Sequence, residues 1–363
     1  MDNDLLMMLG QGATALAILT LVVFTFLPIL ETRTYWIRLL DFPRLQFYSA
    51  LCVFLGIWAV IGWENFAGVM VFVLGLAAVI YQFGVLWQYS PLHPVMADSA
   101  PEGATGDRLR ILVMNVQKEN RDSQAVEDTI ARENPDILLL METNSWWVRK
   151  LAHLEDRFHH RSQEIPEASS YYGMQVYSNL PLVQSDIMYP FSCDVPMFMG
   201  EFAHPAGNIT FIGVHPRPPL DLKHPSTMRD ATILHAAKIA AERTGQVIVA
   251  GDFNATPWER TVRRALRVGR LLDPRVGRSV HASFHVRNPL MRWPLDQILW
   301  QPGPALLRYD VLPSVGSDHY PVVADLLLNA GAKGRPIDPR PDDKPLADMA
   351  FAAAYEMEEA GGD

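Results

Sequence analysis

Cysteine is nearly absent: Cys52 and Cys193 are the only two in 363 residues. Neither a disulfide framework nor a thiolate-held zinc site can be built from so few. Positive charge is also short, with 31 Lys and Arg against 40 Asp and Glu and a net charge of −9. That balance argues against a protein held to nucleic acid by bulk charge, while leaving a local basic groove open. The first 100 residues lack charge of either sign, with 3 basic and 6 acidic groups, whereas residues 101–329 carry 24 and 26. No internal repeat is present. A composition of 49% hydrophobic and 20% charged residues excludes wholesale disorder, and the length predicts about two domains.

The uncharged portion is organised as long apolar runs. Leu5 to Leu30 reads LLMMLGQGATALAILTLVVFTFLPIL, 26 residues without a charge, where roughly 20 suffice to cross the hydrocarbon of a bilayer. It lacks the basic leader and small-residue cleavage site of a removed signal peptide. Two further runs at about 47–62 and 66–88 complete three spans, so residues 1–89 read as a transmembrane region. Trp36, Trp58, Trp63, Trp87 and Tyr89 fall at or near the span ends, where amphipathic rings favour the headgroup layer. Buried soluble helices this apolar all round would need an unusually large core to cover them. Arg33, Arg38 and Arg44 lie in the first loop, and positive-inside logic puts that loop in the cytoplasm. With three spans, everything after Tyr89 is then cytoplasmic. The expectation is an integral protein of a bacterial inner membrane.

Residues 90–107, SPLHPVMADSAPEGATGD, read as a linker, and 329–363 as a disordered tail with at most a marginal helix over 346–359. Between them, residues 108–328 alternate short apolar runs with helical patterns. The runs are at 109–114, 136–141, 208–214, 246–250, 295–300 and 320–327; the helices are at 123–132, 227–242 and 257–268, the last capped by Thr256 with Pro257 in its first turn. That alternation predicts an α/β domain large enough for two sheets flanked by helices.

Polar residues gather where the apolar runs stop: Asn115 and Gln117, Glu142, His215, Asp252 and Asn254, Asp296, and the triplet Ser317, Asp318, His319. Groups at the ends of core strands converge in space, as groups on solvated helix faces need not. Glu142, Asp252, Asn254 and Asp318 offer oxygen ligands without thiolates, which suits Mg²⁺ or Mn²⁺, and a hard cation points to phosphate chemistry. His215 and His319 add proton transfer or donors to a phosphoryl oxygen, and Asp296 is available to orient His319. Metal, histidine and carboxylate together form a hydrolytic set.

The ordered segments NVQ (115–117), PDILLLMET (135–143), GVHPRPP (213–219), VIVAGDFNATP (247–257), PLDQILW (294–300) and GSDHYPVVADL (316–326) resemble the endonuclease/exonuclease/phosphatase superfamily over about 108–328. GDFN and GSDHYP are the specific signatures. The resemblance implies a four-layered α/β sandwich, two packed mixed sheets flanked by helices, that hydrolyses phosphoester bonds with a divalent metal. It implies Glu142 as principal metal ligand with Asn115 and Asp318 nearby, and Asp252 aligning or deprotonating the attacking water. Asn254 would contact the phosphate, and His319, oriented by Asp296, would stabilise developing charge. His215 matches the second histidine of the nuclease and sphingomyelinase branches, where abasic-site endonucleases carry tyrosine, which weakens a DNA-repair reading.

Arg260, Arg263, Arg264, Arg267 and Arg270 follow GDFN at helical spacing, and Arg275 and Arg278 continue the run. Arg260, Arg264 and Arg267 share one helical face that could grip a polyanionic substrate or lipid headgroups, and Arg260 and Arg264 are the candidates for the substrate phosphate. Three readings follow: a membrane-anchored phosphoesterase acting on a lipid-linked or headgroup phosphate, a tethered nuclease acting on DNA or RNA, or a non-catalytic membrane scaffold. The expected partners are the phosphoester substrate and the bilayer, and no feature points to an obligate protein partner.

Overall fold

The computed structural model describes residues 3–62, 65–165, 172–191, 194–219 and 225–361. The chain divides into two compact units, a mainly helical one of Met1–Ser90 that also takes in the described residues Pro219 and Pro225, and an α/β one of Pro91–Pro218 and Ser226–Asp363.

The helical unit contains α1 (Asn3–Phe26), α2 (Tyr35–Leu39), α3 (Arg44–Ile61) and α4 (Phe66–Trp87). Three segments are long and apolar enough to cross a membrane: Asn3–Ile29, Arg44–Ile61 and Phe66–Trp87, with mean hydropathies of 2.2, 1.6 and 2.4. They agree with the runs read from the sequence. Many of their apolar side chains point outward, Val60 being 82% and Phe66 80% exposed, while Ile18, Leu55 and Trp58 form an interior apolar cluster and several polar side chains are buried beside it. Arg44 donates to Asp41 and to Gln82 Oε1 (3.1 Å), and Gln82 donates to Thr25 Oγ1 (3.1 Å), all four being buried. Trp58, expected at a span end, is instead interior, where its indole N–H donates to the Gly68 carbonyl. Trp63 lies outside the described residues.

The α/β unit runs β1 (Arg108–Asn115), α5 (Ser123–Glu133), β2 (Ile137–Met141), α6 (Ser145–Lys150), β3 (His160–Glu164), β4 (Met174–Ser178), β5 (Leu182–Met188), β6 (Met197–Phe202), β7 (Ile209–Val214), α7 (Thr227–Glu242), β8 (Gln246–Asp252), α8 (Arg260–Val268), β9 (Asp296–Trp300), β10 (Gly303–Val311), β11 (Val322–Ala332) and α9 (Asp343–Gly361). One sheet has six strands in the order β10-β11-β1-β2-β4-β3, the other five in the order β5-β6-β7-β8-β9. Both are mixed: β1–β2 and β7–β8 pair in parallel, and the other neighbours are antiparallel.

Strand alternation builds the layers. Leu112, Met114, Leu138 and Leu140 face outward onto Val126, Ile130 and Trp147 of α5 and α6. In the other sheet Ile212, Val214, Val247 and Val249 face Ile233, Ala237, Val262 and Leu266 of α7 and α8. The alternate residues meet between the sheets, where Leu139 comes against Gly213. This is the expected sandwich of two mixed sheets flanked by helices.

Three expectations need correction. Residues 90–107 are no free linker: Met96 and Ala97 are buried, and Asp98 and Ala100 exchange backbone hydrogen bonds with Leu306 of β10 (2.8 and 2.8 Å). The apolar Met-Ala pair within a Pro- and Gly-rich stretch provides that anchor. The region 329–363 is not a disordered tail. It continues β11 to Ala332 and forms α9, whose Ala347, Phe351 and Ala354 share one face by their spacing and pack with α7, α8 and Phe191. The third helical pattern begins at Arg260 and not at Pro257, because Thr256 to Glu259 form a turn closed by Glu259 N–H to Thr256 O (3.0 Å).

That turn redirects α8. Arg264 and Arg267, expected to face a polyanion, are buried against α9, where Arg267 makes two hydrogen bonds to Asp343 (2.8 and 2.6 Å) and Arg264 lies 3.8 Å from the same carboxylate. Arg264 is therefore withdrawn as a phosphate ligand. Arg260 is half-buried at the first turn of α8 and is not among the groups assembled at the strand ends.

Candidate active site

The site is built by strand direction. β1, β2, β7 and β8 deliver their C-terminal ends to one edge of the sandwich. β9 and β11 run antiparallel to their neighbours, so they deliver their N-terminal ends to the same edge. Asn115 pairs with Met141, the residue before Glu142, and Asp252 pairs with Asp296. His215 follows β7 directly, and Asp318 and His319 precede β11. A glycine is required before Asp252: Gly251 has φ +143°, and a Cβ there would lie 1.9 Å from the Val214 carbonyl oxygen. Glu142 and Asn254 sit at φ 56° and 47°, left-handed conformations that side-chain-bearing residues adopt at some cost and that recur at functional sites.

The side chains interlock. Asn115 Nδ2 donates to Glu142 Oε1 (2.8 Å) and to Asp252 Oδ2 (3.3 Å), while its Oδ1 accepts from Gln117 N–H (3.0 Å). His319 Nδ1 is 2.7 Å from Asp296 Oδ2, and its Nε2 faces Asp252 Oδ2 at 3.6 Å. His215 Nε2 is 3.8 Å from the same oxygen. Asp252 Oδ1 accepts from Asn254 N–H (2.9 Å), and Asn254 Nδ2 donates to the Pro216 carbonyl (3.0 Å). Asp252 thus lies at the centre, facing Asn115 and both histidines.

Charge states follow from this crowding. Burial alone would lower the His319 pKa, but Asp296 and Asp252, the hydrogen bond to Asp296, and Asp318 together raise it to about 10. His319 is a cation at neutral pH. His215, equally buried, is pushed down to about 4, with Asp252 opposing and His319 adding to the fall. It is therefore neutral. Glu142 is raised to about 7 by burial, opposed by the Asn115 hydrogen bond and His319 and assisted by repulsion from Asp318 and Asp252. Burial also raises Asp252, opposed chiefly by His319. The site has more carboxylate than its own cation neutralises, and that deficit suits a divalent metal.

Asp252, Asp296 and His319 have ligand atoms within 4.8 Å of one another. A protonated His319 has no lone pair to give, so that trio reads better as a hydrogen-bonded relay. Glu142, which feels the charge of Asp318 and Asp252, is better suited to a hard cation, with Asp318 beside it. Asn115 turns its nitrogen toward the carboxylates, so in this arrangement it orients Glu142 and Asp252 where ligation would need its oxygen.

Three residues at the site escaped the sequence reading. Ser283 Oγ accepts from Asp296 N–H (3.0 Å), the Phe284 ring is tilted 52° to the His319 ring at 4.8 Å, and Tyr172 lies 5.4 Å from His215. Ser283 and Phe284 come from loop positions with no periodic or motif signal, and Tyr172 lies just before β4.

The family model described as Endonuclease/Exonuclease/phosphatase family matches residues 112–319, more than half of the chain. The chain belongs to the endonuclease/exonuclease/phosphatase family. It is accordingly a metal-dependent hydrolase of phosphoester bonds. The human Nocturnin catalytic domain with bound sulfate anion is similar at 15% identity and TM-score 0.51, over 62% of this chain and 96% of that one. D. rerio TDP2 complexed with single strand DNA product is similar at 14% identity and TM-score 0.50, over 60% and 98%. An endonuclease/exonuclease/phosphatase from Beutenbergia cavernae aligns at 15% identity and TM-score 0.48, over 62% and 72%. At these identities the fold is what is shared. No curated protein matches the chain in sequence.

Proposed function

We propose that the protein is a membrane-anchored phosphodiesterase that uses Mg²⁺ or Mn²⁺ and hydrolyses a lipid-linked or headgroup phosphate by in-line attack of water. The observation that carries the chemistry is Asp252 set between a cationic His319 and a neutral His215, beside the carboxylate-rich Glu142–Asp318 side. Glu142 and Asp318 would hold the metal, whose charge would polarise a nonbridging phosphoryl oxygen. Asp252 aligns the attacking water and accepts its proton. Asn254, held in a left-handed turn, offers its side-chain amide to the phosphate. His319, kept protonated by Asp296, stabilises the charge that develops on the phosphoryl or leaving oxygens, an interaction stronger in the transition state than before it.

The anchor reading rests on the outward-facing apolar residues of α1, α3 and α4 and on their buried polar interior, which suit lipid and not water as solvent. Trp87 and the buried Met96 are nine residues apart in the chain, so an anchored helix keeps the hydrolase tethered at the membrane, where a lipid substrate is concentrated. A nuclease would use the same chemistry. It is disfavoured because Arg264 and Arg267, the side chains that suggested a polyanion track, are spent on Asp343.

The test uses the full chain in vesicles with Mg²⁺, offered a phospholipid with a phosphodiester-linked headgroup in the bilayer and single- and double-stranded DNA in solution. Metal-dependent release of the headgroup from the lipid, lost in Asp252→Asn, supports the proposal. DNA cleavage with no lipid turnover would replace it with the tethered nuclease.

A further inference from the structure

At the catalytic turn, two buried side chains hold consecutive backbone carbonyls. Arg229 of α7 is fully buried and donates from Nη1 to the Asn254 carbonyl (2.9 Å). Its Nε and Nη2 donate to Asp230 Oδ1 (3.0 and 2.8 Å), and Nη2 also bonds Glu259. Gln297, likewise fully buried, donates from Nε2 to the Ala255 carbonyl (2.8 Å). Its Oε1 accepts from Arg275 Nη2 (2.7 Å), and Arg275 is itself fixed by Asp273 (2.7 and 3.0 Å). Gln297 is the neighbour of Asp296 on β9, so alternation sends one side chain to His319 and the next to the reverse of the Asp252 turn.

We propose that Arg229 and Gln297 form one clamp that positions the catalytic turn, fixing the peptide planes that follow Asn254 and Ala255 so that the Asn254 side chain faces the substrate. A buried ion-paired arginine is weak evidence of stability, since an apolar side chain of similar size often serves as well. What Arg229 supplies, and leucine cannot, is a directed donor. Two adjacent carbonyls held from different elements leave the turn no rotation about either peptide, which matters because Asn254 sits at φ 47°. Neither residue touches the reacting atoms; both act through the turn.

The inference rests on the phosphodiesterase reading, and the experiment separates the two. The full chain in detergent is assayed with Mg²⁺ and bis-p-nitrophenyl phosphate as wild type, Asp252→Asn, Arg229→Lys and Gln297→Leu. The latter two are also made in an Asn254→Ala background. If the wild type is inactive, or Asp252→Asn is as active as wild type, the reading fails and the clamp with it. If that pair behaves as proposed, Arg229→Lys and Gln297→Leu should each lower kcat by about tenfold or more with KM changed less than about twofold. In the Asn254→Ala background the same substitutions should cost less than about twofold, because the group they position is gone. Undiminished kcat, or an equal loss in both backgrounds, overturns the clamp, since a general loosening of the fold would act in both. Should Arg229→Lys fail to fold, Gln297→Leu, which exchanges the amide for an apolar group of similar volume, decides by the same criterion.

Discussion

The helical and the α/β units of this chain solve burial in opposite ways. From Pro91 onward the apolar residues are inside, and the polar groups that are also buried sit at strand ends in partnerships: Asp252 with His319, Asp296 with His319, Asn115 with Glu142. Before Ser90 many apolar residues face outward, and polar ones, Arg44 with Asp41 and Gln82 with Thr25, are inside beside an apolar cluster of Ile18, Leu55 and Trp58. On the proposed anchor reading, one unit is organised against water and the other against hydrocarbon, and buried polarity means different things in the two: a reacting centre in the first, an interior hidden from lipid in the second.

The contrast can be broken at several points. The largest effect is expected at the strand ends: His319→Ala or Asp252→Asn should lower metal-dependent turnover by about a thousandfold or more, with thermal unfolding little changed. Stopped assays beside a melting curve check both halves of that statement. Next, Asp343→Ala leaves Arg267 buried without its partner. It should destabilise the hydrolase unit by about 3–5 kcal/mol in denaturant titration while leaving kcat near wild type, since these side chains support α9 and do not grip substrate. A loss of kcat without a loss of stability would restore Arg267 and Arg264 to the site.

A comparable but somewhat smaller effect is expected for Leu76→Arg, placed mid-way along α4 where Leu76 is exposed. In lipid it should cost insertion about 2.5–3.5 kcal/mol, against about 0.5 kcal/mol or less for an exposed position in water. Glycosylation mapping of insertion reads the difference. The smallest effects are in pH dependence. His319 is raised from 6.5 to about 10, so the stability its proton contributes is whole below 6.5 and lost as pH rises toward 10. Glu142, raised from 4.5 to about 7, acts in the same direction between those values when no metal is bound. In EDTA the melting temperature should therefore decline on the alkaline side, and His319→Gln should flatten the slope. Added Mg²⁺ should stabilise more at pH 8 than at pH 6, because Glu142 must be ionised to bind it.

Six strands were legible because each is a continuous apolar run; β9 among them lies at a sheet edge, while the inner strands β4 and β6 gave no such run. β1, β2, β7, β8, β9 and β11 all coincide with runs read in advance, and α7 begins and ends where its pattern does. β3 (HRSQE) and β5 (LVQSDIM) lie at sheet edges, where one side has no partner strand and polar residues are tolerated, so they carry no such signal. The site was legible as a set because its residues follow strand ends. What could not be read was which way a helix faces. Arg264 and Arg267 had the spacing of a binding face, but the partner that turns them inward, Asp343, lies 76 residues beyond Arg267 in a segment whose composition suggested disorder. The clamp was hidden for the same reason. Arg229 and Gln297 look like any polar residues on a helix and a strand until the turn they hold is in place.

The account stands most directly on metal-dependent phosphodiester hydrolysis by the assembled strand ends. The decisive measurement is turnover of bis-p-nitrophenyl phosphate by the purified full chain in detergent, with Mg²⁺, with Mn²⁺ and with EDTA, for wild type and Asp252→Asn. The account predicts turnover with either metal, none in EDTA, and at least about a thousandfold loss in the variant. Turnover that survives both EDTA and the substitution would contradict it.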